Sequence, residues 1–299
     1  MKNILFNPEQ KLRNGWWILI FIGFVALTRP IYKPIKTGLT ELGFTELSLE
    51  PLSFILILLA TWACTRLRKE PLSSVGFRIN GQWFTHLTLG TLIGTLLTAS
   101  IVALIWAVNG VHLELNAERS IGALTTGLYI FLFVALMEEL LLRGFIFQRL
   151  IDGAGIWIAQ ITFAVIFAAG HFSNPGMEGW TKIIASTDLF LGAILFGLAY
   201  IKTRSLALPI GLHLGWNWSM GNVMGFGVSG IEHTGWFTPV FGDKASWLTG
   251  GEFGPEASIF ALMIDALAIL LLWKWRGSAA QKEQIEHSSE IKATATVSS

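Results

Sequence analysis

Eight long stretches of this chain are almost free of charge, at about 14–31, 51–66, 84–109, 121–142, 156–172, 183–201, 206–226 and 257–275. Each is near the ~20 apolar residues that a helix needs to cross the hydrocarbon core of a bilayer. Only 14% of the 299 residues are charged and the mean hydropathy is +0.58, against roughly 25% charged residues in soluble domains. The pattern predicts an all-α polytopic membrane protein of about eight transmembrane helices, with the lipid bilayer as its solvent.

Lys and Arg collect in cytoplasmic loops. With the N-terminus inside, fifteen of the 21 basic residues fall on the cytoplasmic side and six on the other. Both termini are therefore expected in the cytoplasm, although Arg29, Lys33 and Lys36 after the first span run against the bias. The basic residues are topological flanks rather than a patch, so nucleic acid is not an expected partner. The start lacks the small-residue cleavage site of a signal peptide, and the first span is expected to stay as an anchor. The single cysteine, Cys64, lies in a span and excludes an intramolecular disulfide or a Cys-rich metal site.

Four segments follow: residues 1–119 with about three spans, a core at 120–226, a loop with the last span at 227–276, and a polar tail at 277–299 that is expected to be disordered. The Gly-rich loop at 227–256 carries Trp236, Phe237, Trp247 and Phe253, aromatic residues that suit the membrane interface. Around 90–103 the chain is rich in Gly, Ala, Ser and Thr, which fits close helix packing in lipid.

Charge inside an apolar span costs at least a few kcal/mol, so each such residue is a functional-site candidate. The candidates are Glu138, Glu139 and Arg143 in the fourth span, His171 in the fifth, His213 and Asn217 in the seventh and Asp265 in the eighth. Glu139 and Arg143 are four residues apart with the acid first, the favourable order for a helical ion pair. Glu138 points ~100° away on the helix and has no partner on its own helix. It must find one across the bundle, be protonated, or face a water-filled cavity, where desolvation would move it toward a general base. Phe167 and His171 share a helical face, as do His213 and Asn217, with Gly211 and Gly215 letting another helix approach. Three polar sites on three spans, each along one face, point to a shared internal cavity. Asp265 is expected to hydrogen-bond within the bundle.

Glu-Glu-x-x-x-Arg (138–143), Phe-x-x-x-His (167–171) and His-x-x-x-Asn (213–217), in this order on successive apolar segments, resemble the CAAX-processing and bacteriocin-processing family of intramembrane proteases, also called the CAAX protease or Abi family. The resemblance implies peptide-bond hydrolysis within the membrane. Glu138 would activate water, His171 would help hold it, His213 and Asn217 would stabilise the oxyanion, and Glu139 with Arg143 would support the helix. The substrate would be a peptide or a membrane protein, prenylated or not, and the compact loops fit a bacterial inner membrane. A glutamate mechanism needs no cofactor. Glu138, His171 and His213 would also offer a ligand set for one divalent metal, Zn²⁺. The non-catalytic readings are a membrane scaffold, a transporter or a bacteriocin-immunity protein, with the acids as ion or substrate sites. Gly227-Val-Ser-Gly230 matches the Gly-x-Ser-Gly of rhomboid serine proteases, but Ser229 runs into a polar loop instead of a helix.

Simple span boundaries place Glu138 near the cytoplasmic end of its span and His171 near the opposite end of the next. A fourth helix running past Arg143 toward Leu150, or a fifth span starting later than Ile156, would bring them level.

Overall fold

A computed structural model describes residues 2–277. From residue 278 on, the polar tail expected to be disordered lies outside the described residues. Nine helices of ten or more residues are present among the described residues: α1 (Asn14–Glu41), α2 (Pro51–Leu67), α3 (Gly81–Ala107), α4 (Ile121–Arg143), α5 (Phe145–Ala154), α6 (Ile156–Gly170), α7 (Gly179–Thr203), α8 (Ala207–Trp218) and α9 (Ile259–Lys274). Side-chain caps start several of them. Asn80 accepts from Trp83 N–H at the head of α3, Ser120 from Ala123 N–H at α4, and Ser258 from Ala261 N–H at α9, each satisfying a backbone donor that the first turn leaves free.

Four helical stretches, Asn14–Glu41, Glu46–Leu67, Gly81–Ala107 and Gly179–Thr203, are long and apolar enough to cross a membrane. The other expected spans fall on α4, α6, α8 and α9. α4 has the length but carries Glu138, Glu139 and Arg143 in its last two turns. α6 has 15 residues, ~22 Å at 1.5 Å per residue, less than the ~30 Å hydrocarbon thickness. α8 stops after 12 residues at Trp218, where a π-helical turn, Ser219–Val223, takes over. α9 has 16.

One element departs from the all-α expectation. Val111–Leu115 (β1) pairs antiparallel with Phe237–Phe241 (β2), Leu113 opposite Pro239. The alternating Val-His-Leu-Glu-Leu of β1 suits a strand with one covered face, and the partner strand lies within the loop read from sequence as irregular.

α8 is the axis of the bundle. Ten of its twelve residues, Ala207 to Trp216, are buried, and it packs most closely on α3. The contact is built from glycines. A Cβ on Gly211 would lie 2.9 Å from Gly90 Cα, and one on Gly215 would strike the Thr91 backbone 2.9 Å from its Cα. From the other side, Cβ atoms on Gly90 and Gly94 would strike the backbone of Leu208, Gly211 and Leu212. Small residues four apart on both helices let the backbones touch, as the composition of residues 90–103 predicts. α4 and α7 pack against α8, and α6 and α9 flank α7.

Candidate active site

α4 presents Phe131, Val134 and Glu138 on one face, and these residues line a cavity of about 290 Å³ enclosed by α4, α6, α7, α8, α9 and the loop before α9. His171, His213 and Asn217 line the same cavity. All four residues assigned to catalysis by resemblance are thus gathered at one place, although the adjustments expected to level Glu138 and His171 do not occur. α4 ends at Arg143, and a new helix, α5, starts at Phe145; α6 begins at Ile156. The shortness of α6 does the work, because a helix of ~22 Å leaves His171 at its end still within the depth of the bundle.

Glu139 is fully buried, and its Oε1 accepts from Arg143 Nη1 at 3.0 Å, the ion pair that the spacing predicts. The same oxygen contacts His213 Nδ1 at 3.0 Å. An ionised carboxylate only accepts, so the Nδ1 proton lies on His213 and points at Glu139. This fixes the ring and turns Nε2 toward Glu138, whose Oε2 is 3.9 Å away. Glu138 finds its partner across the bundle, and Glu139 does more than neutralise Arg143: it orients the histidine.

Aromatic rings hold this arrangement. Phe196 stacks on His213, with centroids 5.4 Å apart and planes 22° apart. The Arg143 guanidinium lies between Phe196 and Phe167, 5.6 and 5.4 Å from the ring centroids, and its Nη2 donates to Ala193 O at 3.2 Å. The π faces attract the cation without adding charge. Phe167 also packs against His171 at 4.7 Å, which gives the Phe of Phe-x-x-x-His a physical role: it couples the arginine of the first motif to the histidine of the second. His171 Nδ1 donates to Phe167 O at 2.8 Å, leaving Nε2 with its lone pair.

The loops roof the cavity through a second network. Glu256 Oε1 accepts from Trp216 Nε1 at 3.0 Å, and its Oε2 accepts from the N–H and hydroxyl of Ser229. Asn174 Nδ2, three residues past His171, donates to Ser229 O at 2.7 Å. Ser229 has φ +50° and Gly230 φ +81° in a tight turn, a backbone that glycine adopts freely and serine rarely does. The backbone N–H and hydroxyl of Ser229 are both tied to Glu256, which holds this turn over the cavity.

Asp188, His233 and Glu256 also line the cavity, yet they are absent from the sequence candidates. Asp188 carries the same signal as the others, an acid within an apolar span at 183–201. His233 and Glu256 lie in a polar loop, where nothing in the sequence marks a residue that folds inward. Burial lowers the pKa of His233 below its ordinary 6.5. Asp265 lies on the cavity wall, fully buried, and its neighbour there is a second acid, Asp188 on α7, while neither of its oxygens receives an N–H or hydroxyl donor.

Glu138, His171 and His213, the Zn²⁺ ligand set expected from the sequence, line one cavity. Among the described residues no group of three His, Cys, Asp or Glu side chains stands ready to hold a metal ion; Nδ1 of His171 and of His213 faces an oxygen acceptor, which leaves the Nε2 of each ring.

Long apolar helices of membrane-spanning length define an integral membrane protein. Residues 120–219 match the family model described as type II CAAX prenyl endopeptidase Rce1-like. That segment runs from the cap of α4 to the end of α8 and contains all three motifs, so over this part of the chain the match is to the family that the motifs resemble. No curated protein and no solved structure matches the chain.

Proposed function

We propose that the protein is an intramembrane endopeptidase that hydrolyses peptide or membrane-protein substrates with a water activated by Glu138. The observation that carries this is the pairing of Glu138 with an oriented His213 across the cavity: Oε2 to Nε2 is 3.9 Å, with the far side of the ring tied to Glu139. Glu138 takes a proton from water as the oxygen adds to the carbonyl carbon, and later gives that proton to the leaving amine. His171, with Nδ1 donating to its own helix, presents the Nε2 lone pair that accepts a hydrogen bond from this water. Asn217 Nδ2 donates to the oxyanion. His213 donates there through Nε2 only when its ring carries both protons, since Nδ1–H already points at Glu139.

The family match over 120–219 supports the reaction class. The distribution of basic residues, fifteen against six, supports both termini in the cytoplasm, and the compact loops support a bacterial inner membrane. In this reading α4, α6, α8 and α9 also lie within the bilayer and complete the eight expected passes.

The test is cleavage of membrane-inserted peptides by purified protein in nanodiscs. Glu138→Gln is expected to lower kcat by about 10²–10⁴-fold, the usual contribution of a positioned acid–base group, and a chelator is expected to leave the rate unchanged. Cleavage at the full rate by the variant would refute the glutamate mechanism. Loss of activity with chelator and its recovery with Zn²⁺ would replace it by a metal mechanism, and no cleavage by the unsubstituted protein would favour the scaffold reading.

A further inference from the structure

Asp188 on α7 and Asp265 on α9 meet at the cavity wall, close enough to share a proton. Asp188 is 3% exposed and Asp265 0%, and three of their four carboxyl oxygens, Asp188 Oδ1 and both of Asp265, receive no donor from the protein. Buried polar atoms nearly always have partners, and a buried charge without one is costly. A single proton shared between the two would occupy one oxygen of each, leaving the remaining ones bare. Glu256, alongside, is 4% exposed and accepts three donors, and adds a third carboxyl to the same wall. Glu138 makes a fourth carboxyl on the cavity, and among the described residues lining it there is no lysine or arginine.

We propose that Asp188 and Asp265, with Glu256 alongside, form a subsite for a cationic side chain, lysine or arginine, of the peptide substrate. An ammonium brings three donors and no acceptor; with one proton shared between the acids, its charge neutralises the pair and its donors serve the oxygens left bare. The placement suits a residue near the scissile bond. Asp188 is eight residues along α7 from Phe196, the ring stacked on His213, ~12 Å at 1.5 Å per residue. Extended chain advances ~3.3–3.6 Å per residue, so a long basic side chain within two or three positions of the bond held at Glu138 reaches the pair. This subsite rests on the endopeptidase reading of the cavity.

The test reads binding, so that it stands apart from cleavage. Full-length protein carrying Glu138→Gln, in nanodiscs, is titrated with Ala- and Leu-rich peptides that differ at one position only, Lys, norleucine or Glu, walked along the peptide. At one or two adjacent positions the Lys peptide is expected to bind at least about tenfold more tightly than the norleucine peptide, a difference of ~1.4 kcal/mol, and the Glu peptide more weakly than both. Asp188→Asn combined with Asp265→Asn is expected to bring the Lys-to-norleucine ratio to about one; each single Asn variant, near-isosteric, is read in the same way should the pair fail to fold. Equal binding of the three peptides at every position overturns the subsite, as does a Lys preference that survives the Asn substitutions. Equal binding that responds instead to added Na⁺ or Ca²⁺ also overturns it, by assigning the pair to an inorganic cation. Cleavage by the unsubstituted protein together with equal binding removes the subsite and leaves the endopeptidase. A Lys preference without any cleavage supports the cation site and removes the endopeptidase.

Discussion

Glu139 and Asp265 are both 0% exposed and both belong to helices around the same cavity, yet their surroundings differ in kind. Around Glu139 the charges are linked: Arg143 and His213 donate to one of its oxygens, Phe167 and Phe196 cover the guanidinium, and Phe196 stacks on the imidazole. Around Asp265 there is another acid, Asp188, and no donor. The difference separates two uses of buried charge. The linked end holds a histidine in one orientation, whereas the unlinked end sets two acids against each other and leaves carboxyl oxygens without an N–H or hydroxyl donor.

The largest effect should come from the linked end. Glu139→Ala removes the acceptor of two buried donors and leaves Arg143 charged and unpaired, a change that typically costs 3–5 kcal/mol. The unfolding midpoint in mild detergent is expected to fall steeply, and a midpoint close to that of the unsubstituted protein would break the comparison. Asp265→Asn should behave in the opposite sense. Removing one of two facing carboxyls relieves like-charge repulsion and forfeits no protein donor, so stability is expected to stay within about 1 kcal/mol or to rise. A loss as large as that from Glu139→Ala would show that Asp265 is a structural partner after all.

The smallest effect concerns the loop over the cavity. His233 packs on Phe131 at 5.0 Å, and burial holds its pKa below 6.5. A folded pKa below the unfolded one means that unfolding takes up a proton, so this contribution is fully present above about pH 6.5 and is lost as pH falls through the lower folded value. Limited proteolysis of the 224–258 loop is expected to speed up modestly from pH 7.5 to pH 5, and His233→Phe should remove that dependence. An equal acceleration in the variant would assign the effect to another group.

Much of this contrast is legible in the chain. Acids and histidines inside apolar spans mark themselves by their cost, and spacing alone pairs Glu139 with Arg143 and puts Phe167 on the face of His171. The small residues at 90–103 and Gly211 with Gly215 announce a close helix contact, and the structure places them against each other. What spacing does not give is the partner across the bundle. The bond from His213 Nδ1 to Glu139 joins residues 74 apart in sequence, so the orienting role of Glu139 appears only in three dimensions. Glu256 and His233 escape notice because a polar residue in a polar loop costs nothing until the loop folds over the cavity. The strand pair of Val111–Leu115 with Phe237–Phe241 is hidden for a similar reason, since five alternating residues between membrane helices carry little signal. Helix lengths are also blurred in sequence: α8 and its π-helical turn read as one apolar run at 206–226, because hydropathy does not register a change in hydrogen-bond pattern.

The central claim is that two adjacent glutamates divide the work, one for chemistry and one for architecture. Glu138→Gln and Glu139→Gln, purified side by side, test it most directly when peptide cleavage and unfolding midpoint are measured on the same samples. Glu138→Gln is expected to lose cleavage while keeping its midpoint, because its side chain is 25% exposed and holds no structural bond. Glu139→Gln is expected to lose both, since it weakens the hold on Arg143 and His213. Retained cleavage in Glu138→Gln, or an unchanged midpoint in Glu139→Gln, would contradict that division.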